Sequence, residues 1–107
     1  MKESAVEAYL VERVKKLGGE VRKVSWQGRK GAPDRLVMLP AMTDFNAPVV
    51  YHYPRTIWVE LKAEGLAALF PHTPHERQQW REHKRMRGMG QRVVVIDSYA
   101  GVDEVLS

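Results

Sequence analysis

The stretch TIWVELK, residues 56–62, joins an apolar strand to a charged end. Successive side chains of a strand point to opposite faces, so Glu60 and Lys62 share one face. A second carboxylate, Asp34, follows a proline in GAPD at the start of an earlier apolar strand. If the two strands pair, Asp34, Glu60 and Lys62 converge on one edge of the sheet. The aliphatic residues of the stretch share the other face: Ile57, Val59 and Leu61.

Two carboxylates and a lysine at a sheet edge suit a divalent metal ion that acts on a phosphate. Carboxylate oxygens are ligands that Mg²⁺ and Mn²⁺ prefer, and the backbone carbonyl of Leu61 with water completes the expected set. Such an ion polarises a phosphate and lowers the pKa of a bound water. Lys62 would hold the attacking water or stabilise charge on the phosphate. The alternative is a surface ion pair between Glu60 and Lys62 on an edge strand, since a motif this short has a high false-positive rate.

The elements that must position these residues follow from periodicity and turn chemistry. Apolar residues at helical spacing predict a helix over 4–17, capped by Ser4 and ended by two glycines. Alternating residues predict a strand over 20–26, and QGRKGAP predicts a loop before a strand at 35–39. Residues 40–55 form a long connection, read as an insertion or an extra hairpin, and lead into the strand at 56–62.

The second half of the chain is predicted to contain a loop, a helix, a strand and a final short helix. After a loop over 63–72, Thr73, Pro74 and Glu76 predict a capped helix that ends near Arg87. RVVVID predicts a strand over 92–97, and Ser98 caps a final short helix. The order αβββαβ, with a last helix added, predicts one α/β domain over residues 1–107 with a mixed central sheet flanked by helices.

Composition narrows the class of protein. The chain has 107 residues, of which 44% are hydrophobic and 28% charged, as expected of a globular domain. No cysteine is present, which excludes disulfides and thiolate metal sites. No apolar run suits a membrane span or a signal peptide, so we expect a cytoplasmic protein. The net charge of +4 indicates a polyanionic partner.

In order along the chain, GAPDRLVML, WVELKA, a helix with glutamine and the strand RVVVIDS resemble the VRR-Nuc branch of the PD-(D/E)xK nucleases. The resemblance covers nearly the whole chain. It implies a restriction-endonuclease-like core and metal-dependent hydrolysis of phosphodiester bonds. Asp34 and Glu60 then match the metal ligands of the family, and Lys62 its catalytic lysine. The chain looks like the stand-alone viral and prokaryotic members, which implies a homodimer that cuts branched DNA such as four-way (Holliday) junctions.

The family also carries a glutamate on its first helix, and Glu7 stands at the matching place. Glu7 flanks the apolar face of the predicted helix, so it can point toward the sheet. In this role it would act on the metal, directly or through a water. The alternative is a capping box between Ser4 and Glu7. Glu3 and Glu12 are further candidates for the same position.

The helical glutamine of the family has two candidates, because Gln78 and Gln79 are adjacent. Gln79 shares its helix face with the less charged residues at i+4 and i+7. Gln78 shares its face with Glu82 and Arg85, a stripe typical of solvent exposure. We therefore expect Gln79 to position Lys62 or a phosphate, with a surface glutamine as the alternative.

Basic residues near the GAPD loop predict contacts with a DNA backbone. Lys23, Arg29 and Lys30 lie close to the loop, although each alone is typical of a solvated surface. Arg35 directly follows Asp34 and either binds a phosphate or pairs with a neighbouring acid. A histidine near the start of the second long helix is either a surface or a phosphate-contacting residue: His75.

Three aromatic residues have open roles. Tyr51 and Tyr53 lie in the long connection, where they stack on bases, pack a hairpin or contact a second subunit. Trp58 shares the face of Glu60 and either walls the site or packs under the first helix.

Two function classes follow from these features. The first is a metal-dependent endonuclease that acts on branched DNA as a homodimer in a bacterial or phage-infected cell. The second is a non-catalytic DNA-binding module with the same fold and basic surface. The presence of Asp34, Glu60 and Lys62 together favours the enzyme, because a binding module does not need this set.

Overall fold

The computed structural model describes the backbone of residues 1–44 and 47–107 and the side chains of residues 1–42 and 52–107. Among these residues, no helix combines the length and the apolar character needed to cross a membrane. The elements are, in chain order, α1 (Glu3–Lys16), β1 (Glu20–Lys23), β2 (Arg35–Leu39), β3 (Met42–Asp44), β4 (Ala47–His52), β5 (Arg55–Leu61), a 3₁₀ turn (Ala67–Leu69), α2 (Pro74–Gly88), β6 (Val93–Ile96) and α3 (Tyr99–Leu106).

The central sheet has four strands in the order β1-β2-β5-β6. β2 pairs antiparallel with both β1 and β5, whereas β5 and β6 run parallel. The parallel pair needs a crossover connection, and α2 supplies it. This arrangement confirms the predicted α/β class with a mixed central sheet flanked by helices.

The two faces of the sheet meet different helices. The aliphatic side chains of β5 are at most 3% exposed and form one core with α1 and α3, to which Leu10 and Val102 belong. The opposite face carries Glu60 and Lys62 toward α2, where they approach His83 and Gln79. The alternation predicted from TIWVELK therefore separates a structural face from a polar face.

Capping differs between the two long helices. α2 has the predicted capping box, in which Thr73 Oγ1 accepts from Glu76 N at 3.1 Å. α1 begins earlier than predicted, with Lys2 as its N-cap and without a side-chain capping bond. The predicted cap by Ser4 is therefore wrong, because Ser4 lies inside the first turn, and the Ser4–Glu7 capping box does not form.

The strand β1 is shorter than the predicted 20–26 and ends at Lys23. Trp26 lies in the following loop, where its indole N–H donates to the carbonyl of Pro33 at 2.8 Å. Trp58 packs against Trp26 with ring centroids 5.1 Å apart, so it does not pack under the first helix. Both tryptophans lie on the α2 side of the molecule.

The long connection over 40–55 contains a hairpin, as one of the two interpretations predicted. β3 and β4 form a separate two-stranded sheet. Leu39 and Arg55 face each other in the β2–β5 ladder, so the connection leaves and rejoins the central sheet at one place. Tyr53 is 80% exposed, and the expected role of the Tyr51 side chain lies outside the described residues.

Candidate active site

The register of β2 and β5 brings the two predicted carboxylates to the same end of the strand pair. The ladder ends where Arg35 faces Val59, and the same register extended by one residue would set Asp34 opposite Glu60. The carbonyl of Asp34 accepts from Val24 N at 2.9 Å, so the chain at this residue is held in the sheet on its other side. The Asp34 side chain is 51% exposed and that of Glu60 is 13% exposed. Solvent therefore reaches the pair from the Asp34 side.

The backbone carbonyl of Leu61 points toward the same edge. Lys62 N–H donates to Ile96 O on β6 at 2.9 Å. Because the peptide between Leu61 and Lys62 is planar and trans, its carbonyl points away from β6, toward the β2 side. The β2–β5 ladder ends at the Arg35–Val59 pair, so this carbonyl lies beyond the last paired residues.

Lys62 is held from above by α2 and the preceding loop. Its Nζ donates to Gln79 Oε1 at 2.9 Å and lies 3.2 Å from Glu76 Oε2. The ammonium also lies 5.4 Å from the ring centroid of Phe70, within the range of a cation–π contact. With its side chain only 13% exposed, Lys62 has a defined position rather than a mobile surface one.

Glu76 links this lysine to the start of α2. One carboxylate oxygen accepts from the backbone N–H groups of His72 at 3.0 Å and Thr73 at 3.4 Å, while the other pairs with Lys62. The hydrogen bond from His72, followed by those from Lys62 and Thr73, outweighs burial and lowers the pKa of Glu76 below 4.5. Glu76 therefore stays ionised beside Lys62 at neutral pH.

Glu60 has a histidine, not a lysine, as its neighbour on α2. His83 Nε2 lies 3.6 Å from Glu60 Oε1, beyond direct hydrogen-bond distance. The imidazole is fully buried, stacks on Phe70 at 5.6 Å, and has no hydrogen-bond partner for either nitrogen among the described residues. Within the same residues, no lysine or arginine forms a salt bridge with Glu60. The charge of this carboxylate is thus not neutralised by a side chain.

Glu7 approaches the site through an arginine. Arg35 Nη2 donates to Glu7 Oε2 at 2.7 Å, and Arg35 Nη1 lies 3.0 Å from Asp34 Oδ1. The second contact is an ion pair without hydrogen-bond geometry, since Nη1 has no hydrogen-bond partner. Burial lowers the pKa of Arg35, but the two carboxylates outweigh it and the pKa lies above its usual value.

Arg35 thus contacts two carboxylates, and its side chain is 13% exposed. This placement corresponds to the pairing alternative predicted for Arg35, and the phosphate-binding role stays a prediction. It also explains why Glu7 does not cap its own helix: its carboxylate points across to β2.

The donor set fits a hard divalent ion. Within residues 1–44 and 47–107, no three or more His, Cys, Asp or Glu side chains converge as a metal-binding cluster. Asp34 and Glu60 offer two carboxylates, and the carbonyl of Leu61 offers a third oxygen on their side of β5. Because Lys62 is neutralised by Glu76 and not by Glu60, the Glu60 carboxylate retains charge for a cation. Oxygen donors of this kind suit Mg²⁺ or Mn²⁺.

The adjacent glutamines of α2 point to different places. Gln79 is 7% exposed and faces Lys62, whereas Gln78 lines a cleft beside the 24–34 loop. The expectation that Gln78 and Glu82 form a solvent stripe is wrong. Glu82 is 9% exposed, because the loop covers this face and brings Arg29 to 3.7 Å from its carboxylate.

The remaining predicted DNA contacts lie on the surface. Lys23, Arg29 and Lys30 are exposed, and the last two line the cleft. His75 is exposed as well and lines a smaller cavity of about 270 Å³ that reaches Lys62. None of these four side chains belongs to the Asp34–Glu60 pair.

Two residues of the site, Glu76 and His83, were not predicted from the sequence to belong to it. Glu76 was read as a capping residue, although it also pairs with Lys62. His83 was placed on the Gln79 face but without a link to Glu60. Glu76, Gln79 and His83 are spaced i, i+3 and i+7, so their common helix face was the available signal.

Comparisons with known proteins agree with this geometry. No family model matches the chain. A solved structure described as "VRR_NUC domain" is similar with a TM-score of 0.67 and 36% sequence identity, over 99% of this chain and 95% of that chain. The protein "Putative nuclease p44" of Acyrthosiphon pisum secondary endosymbiont phage 1 is 38% identical over 98 residues, which cover 92% of this chain and 85% of the relative.

A mixed four-stranded sheet between helices, with an acidic pair and a lysine at one edge, defines an α/β domain of the VRR_NUC fold. The chain belongs to the VRR_NUC family of nuclease domains. This membership confirms the resemblance predicted from GAPDRLVML and WVELKA, and it supports a DNA nuclease.

Proposed function

We propose that this chain is a Mg²⁺- or Mn²⁺-dependent endodeoxyribonuclease that hydrolyses phosphodiester bonds of branched DNA, such as four-way junctions, as a homodimer. One observation carries the proposal: β5 holds Glu60 and Lys62 next to the end of β2 that follows Asp34, and α2 fixes the Lys62 ammonium. The nuclease name of the phage relative supports the same reaction. Such a protein would act in the cytoplasm of a bacterial or phage-infected cell.

The acidic pair has the metal-binding role in this proposal. Asp34, Glu60 and the carbonyl of Leu61 would hold the ion, and Glu7 would contribute through water because Arg35 occupies its carboxylate. When bound, the ion would polarise the phosphate and lower the pKa of a water. The rigid ladder around Glu60 keeps its carboxylate in place, as a preorganised site requires.

Lys62 has the catalytic role. An ammonium group carries three N–H donors. In the described part of the chain, two of its contacts are Gln79 and Glu76, which leaves one donor for the attacking water or a phosphate oxygen. A fixed donor of this kind stabilises charge that develops on phosphate oxygens without having to reorient. Gln79 is then a positioning residue, because it acts through Lys62.

Cleavage assays test the proposal directly. Linear duplex, flap and four-way-junction DNA are incubated with Mg²⁺, with Mn²⁺ or with a chelator. We expect junctions to be cut with either metal and to remain intact with the chelator. Lys62→Ala should cut about 100- to 1000-fold more slowly, the usual effect of removing one preorganised donor. Lys16→Ala, which removes an exposed lysine of α1, is the matched control and should cut like the wild type.

The same assay distinguishes a nuclease from a non-catalytic DNA-binding module. If the wild type binds junctions in chelator but cuts none with either metal, the chain is a non-catalytic DNA-binding module and the nuclease proposal is wrong. If Lys62→Ala cuts at the wild-type rate, the role of Lys62 is wrong.

A further inference from the structure

A cleft of about 750 Å³ separates the 24–34 loop from α2. Its size lies in the range of pockets that hold small ligands, roughly 300–1,000 Å³, so it admits about one or two nucleotides and not a duplex. The cleft is lined by Trp26, Gly28, Arg29, Lys30, Gln78, Arg81, Glu82 and Arg85.

The cleft is strongly positive. Four cationic side chains line it against one carboxylate, which gives a formal charge of +3. The carboxylate of Glu82 lies 3.7 Å from Arg29 and 3.8 Å from Arg85, so it fixes the direction of two guanidinium groups. Lys30 and Arg81 form no salt bridge within the described side chains. The cleft therefore offers a polyanion two cations that Glu82 orients and two that form no salt bridge within the described side chains.

One wall of the cleft is a fixed aromatic ring. Trp26 is 36% exposed, and its position is set by the hydrogen bond to Pro33 and the packing on Trp58. A partly exposed indole that is already immobilised loses little conformational freedom when a base stacks on it. Aromatic rings beside basic groups are the usual platform for unpaired nucleic-acid strands.

We propose that this cleft binds an unpaired DNA strand, with a base on Trp26 and phosphates on the cations of the loop and α2. The inference rests on the proposed function for its choice of DNA. It deepens that function, because it assigns a site for the unpaired strand of a flap, one of the branched substrates of the cleavage assay.

The cleft is formed by the loop and the helix that also lead to residues of the candidate site. Gln78 lines the cleft, and the next residue, Gln79, holds Lys62. The loop rests tightly on α2, since a Cβ on Gly31 would lie 2.9 Å from the carbonyl oxygen of Gln78. The same loop ends at Asp34. A strand seated in the cleft is thus carried on the loop and helix that also lead to Asp34 and Gln79.

Oligonucleotide binding in chelator tests the proposal. The wild type is titrated with labelled dT₁₅ and with duplex of equal length, and affinity is measured by fluorescence anisotropy across a range of salt. Arg81→Glu should weaken dT₁₅ binding at least tenfold, and Trp26→Ala by about tenfold, the effect of one lost base stack. Arg81→Ala should reduce the slope of log affinity against log salt by about 0.7, as expected for one phosphate contact on a single strand.

Lys84→Glu is the matched control, because Lys84 is an exposed cation of α2 outside the cleft. It makes the same charge change as Arg81→Glu and should change the affinity for dT₁₅ less than threefold. Trp26→Phe, which retains an aromatic ring, should restore most of the affinity lost in Trp26→Ala if the fold is intact. Equal losses in Arg81→Glu and Lys84→Glu would overturn the proposal, because they would indicate unspecific charge attraction.

The two proposals fail in different ways. The binding assay contains no free metal, so it measures the cleft without catalysis. Absence of dT₁₅ binding, or tighter binding of duplex than of dT₁₅, contradicts the strand site. Absence of cutting with metal contradicts the nuclease and leaves the binding result unchanged.

Discussion

The residues around Lys62 perform more than one task each. Glu76 closes the capping box of α2 with one oxygen and neutralises Lys62 with the other. Gln79 supplies a neutral acceptor at 2.9 Å, so the lysine is held by one charge and one dipole. Among the described side chains, this division leaves Glu60 on the same face of β5 without a lysine partner, so its carboxylate is open to a cation.

His83 is the residue whose loss should separate stability from activity. A buried polar group without a hydrogen bond costs about 1–3 kcal/mol, whereas the stack on Phe70 contributes about 0.5–1.5 kcal/mol. We therefore expect His83→Leu to unfold in urea with a free energy equal to the wild type or up to about 2 kcal/mol higher. Junction cutting should fall about tenfold, because Glu60 loses the polar neighbour that limits its position.

Met86→Leu is the control for this change, since Met86 lies on the same helix face and is 4% exposed. A swap of similar volume should change stability by less than about 1.5 kcal/mol and leave cutting intact. If His83→Leu cuts DNA at the wild-type rate, the histidine is a packing residue without influence on Glu60.

Among the helices and strands, several features that depend on residues close in sequence were predicted correctly. Thr73 and Glu76 stand three residues apart, so the capping box of α2 was readable from the sequence. The buried faces of α1 and β5 followed from their apolar spacing. The predicted exposure of Glu82 was wrong, although a polar stripe on a helix is normally solvated. Only the packing of a distant loop on α2 reverses that, and nothing in the helix itself reports it.

The candidate site was predictable to the same extent. The pairing of β2 with β5, on which the predicted convergence of Asp34 and Glu60 depends, is confirmed, although the sequence suggests this pairing without determining it. For Arg35, pairing with a neighbouring acid was one of the two predicted roles, and the acids are Glu7 and Asp34. For Glu7, the predicted roles were an action on the metal and a capping box, so its contact with Arg35 was not predicted, because it depends on the packing of α1 beside β2.

The contact of the 24–34 loop with α2 predicts a difference between two glycines. Gly31 and Gly28 both have positive φ, +85° and +71°, so alanine is strained at either position. A Cβ at Gly31 also meets the backbone of Gln78 at 2.9 Å, whereas one at Gly28 meets nothing within 4 Å. Gly31→Ala should therefore destabilise the fold by at least about 1 kcal/mol more than Gly28→Ala.

Urea unfolding of the two variants measures this difference. Because the loop ends at Asp34 and rests beside Gln79, Gly31→Ala should also cut junctions more slowly than Gly28→Ala at a temperature where both are folded. Equal unfolding free energies for the two variants would contradict the tight packing of the loop on the helix.

The start of α2 predicts a pH-dependent stability. The pKa of Glu76 is lowered in the folded chain, first by the His72 N–H group. A carboxyl with a lowered folded pKa stabilises the fold fully above its unfolded pKa of 4.5, and the contribution disappears as the pH falls through the folded pKa. The deficit of Glu76→Gln against the wild type, about 1 kcal/mol at pH 7, should therefore shrink below pH 4.5.

Urea unfolding between pH 7 and pH 3 checks this expectation. Thr73→Ala removes the other half of the capping box but no titrating group, so its deficit should stay constant over the same range. A Glu76→Gln deficit that is constant with pH would show that the ionised carboxylate does not stabilise α2.

In the whole molecule, the two faces of the sheet have different roles. One face forms the apolar core with α1 and α3, and the other carries the charged residues under α2. The hairpin of β3 and β4 leaves the central sheet between Leu39 and Arg55, two residues that already face each other. The four-stranded sheet is therefore complete without the hairpin, and residues 40–54 are an addition to it.

In the proposed mechanism, each subunit has one acidic pair and cuts one strand at a time. Resolution of a four-way junction needs two cuts on symmetric strands, which a two-fold dimer provides from two identical sites. We therefore expect a mass of twice 12.3 kDa by sedimentation at micromolar concentration. In mixtures of wild type and Lys62→Ala refolded together, a cruciform plasmid should become nicked more and linear less as the variant fraction rises.

The way in which the yield of linear plasmid depends on the fraction of wild-type chains distinguishes paired from independent cutting. If subunits combine at random, dimers with two intact sites fall with the square of the wild-type fraction, and dimers with one intact site produce only a nick. A single-turnover assay should therefore show linear plasmid that falls with that square while nicked circles accumulate. Linear product that falls only in proportion to the wild-type fraction, or a monomeric mass, would contradict paired cleavage, because each chain would then meet the junction alone.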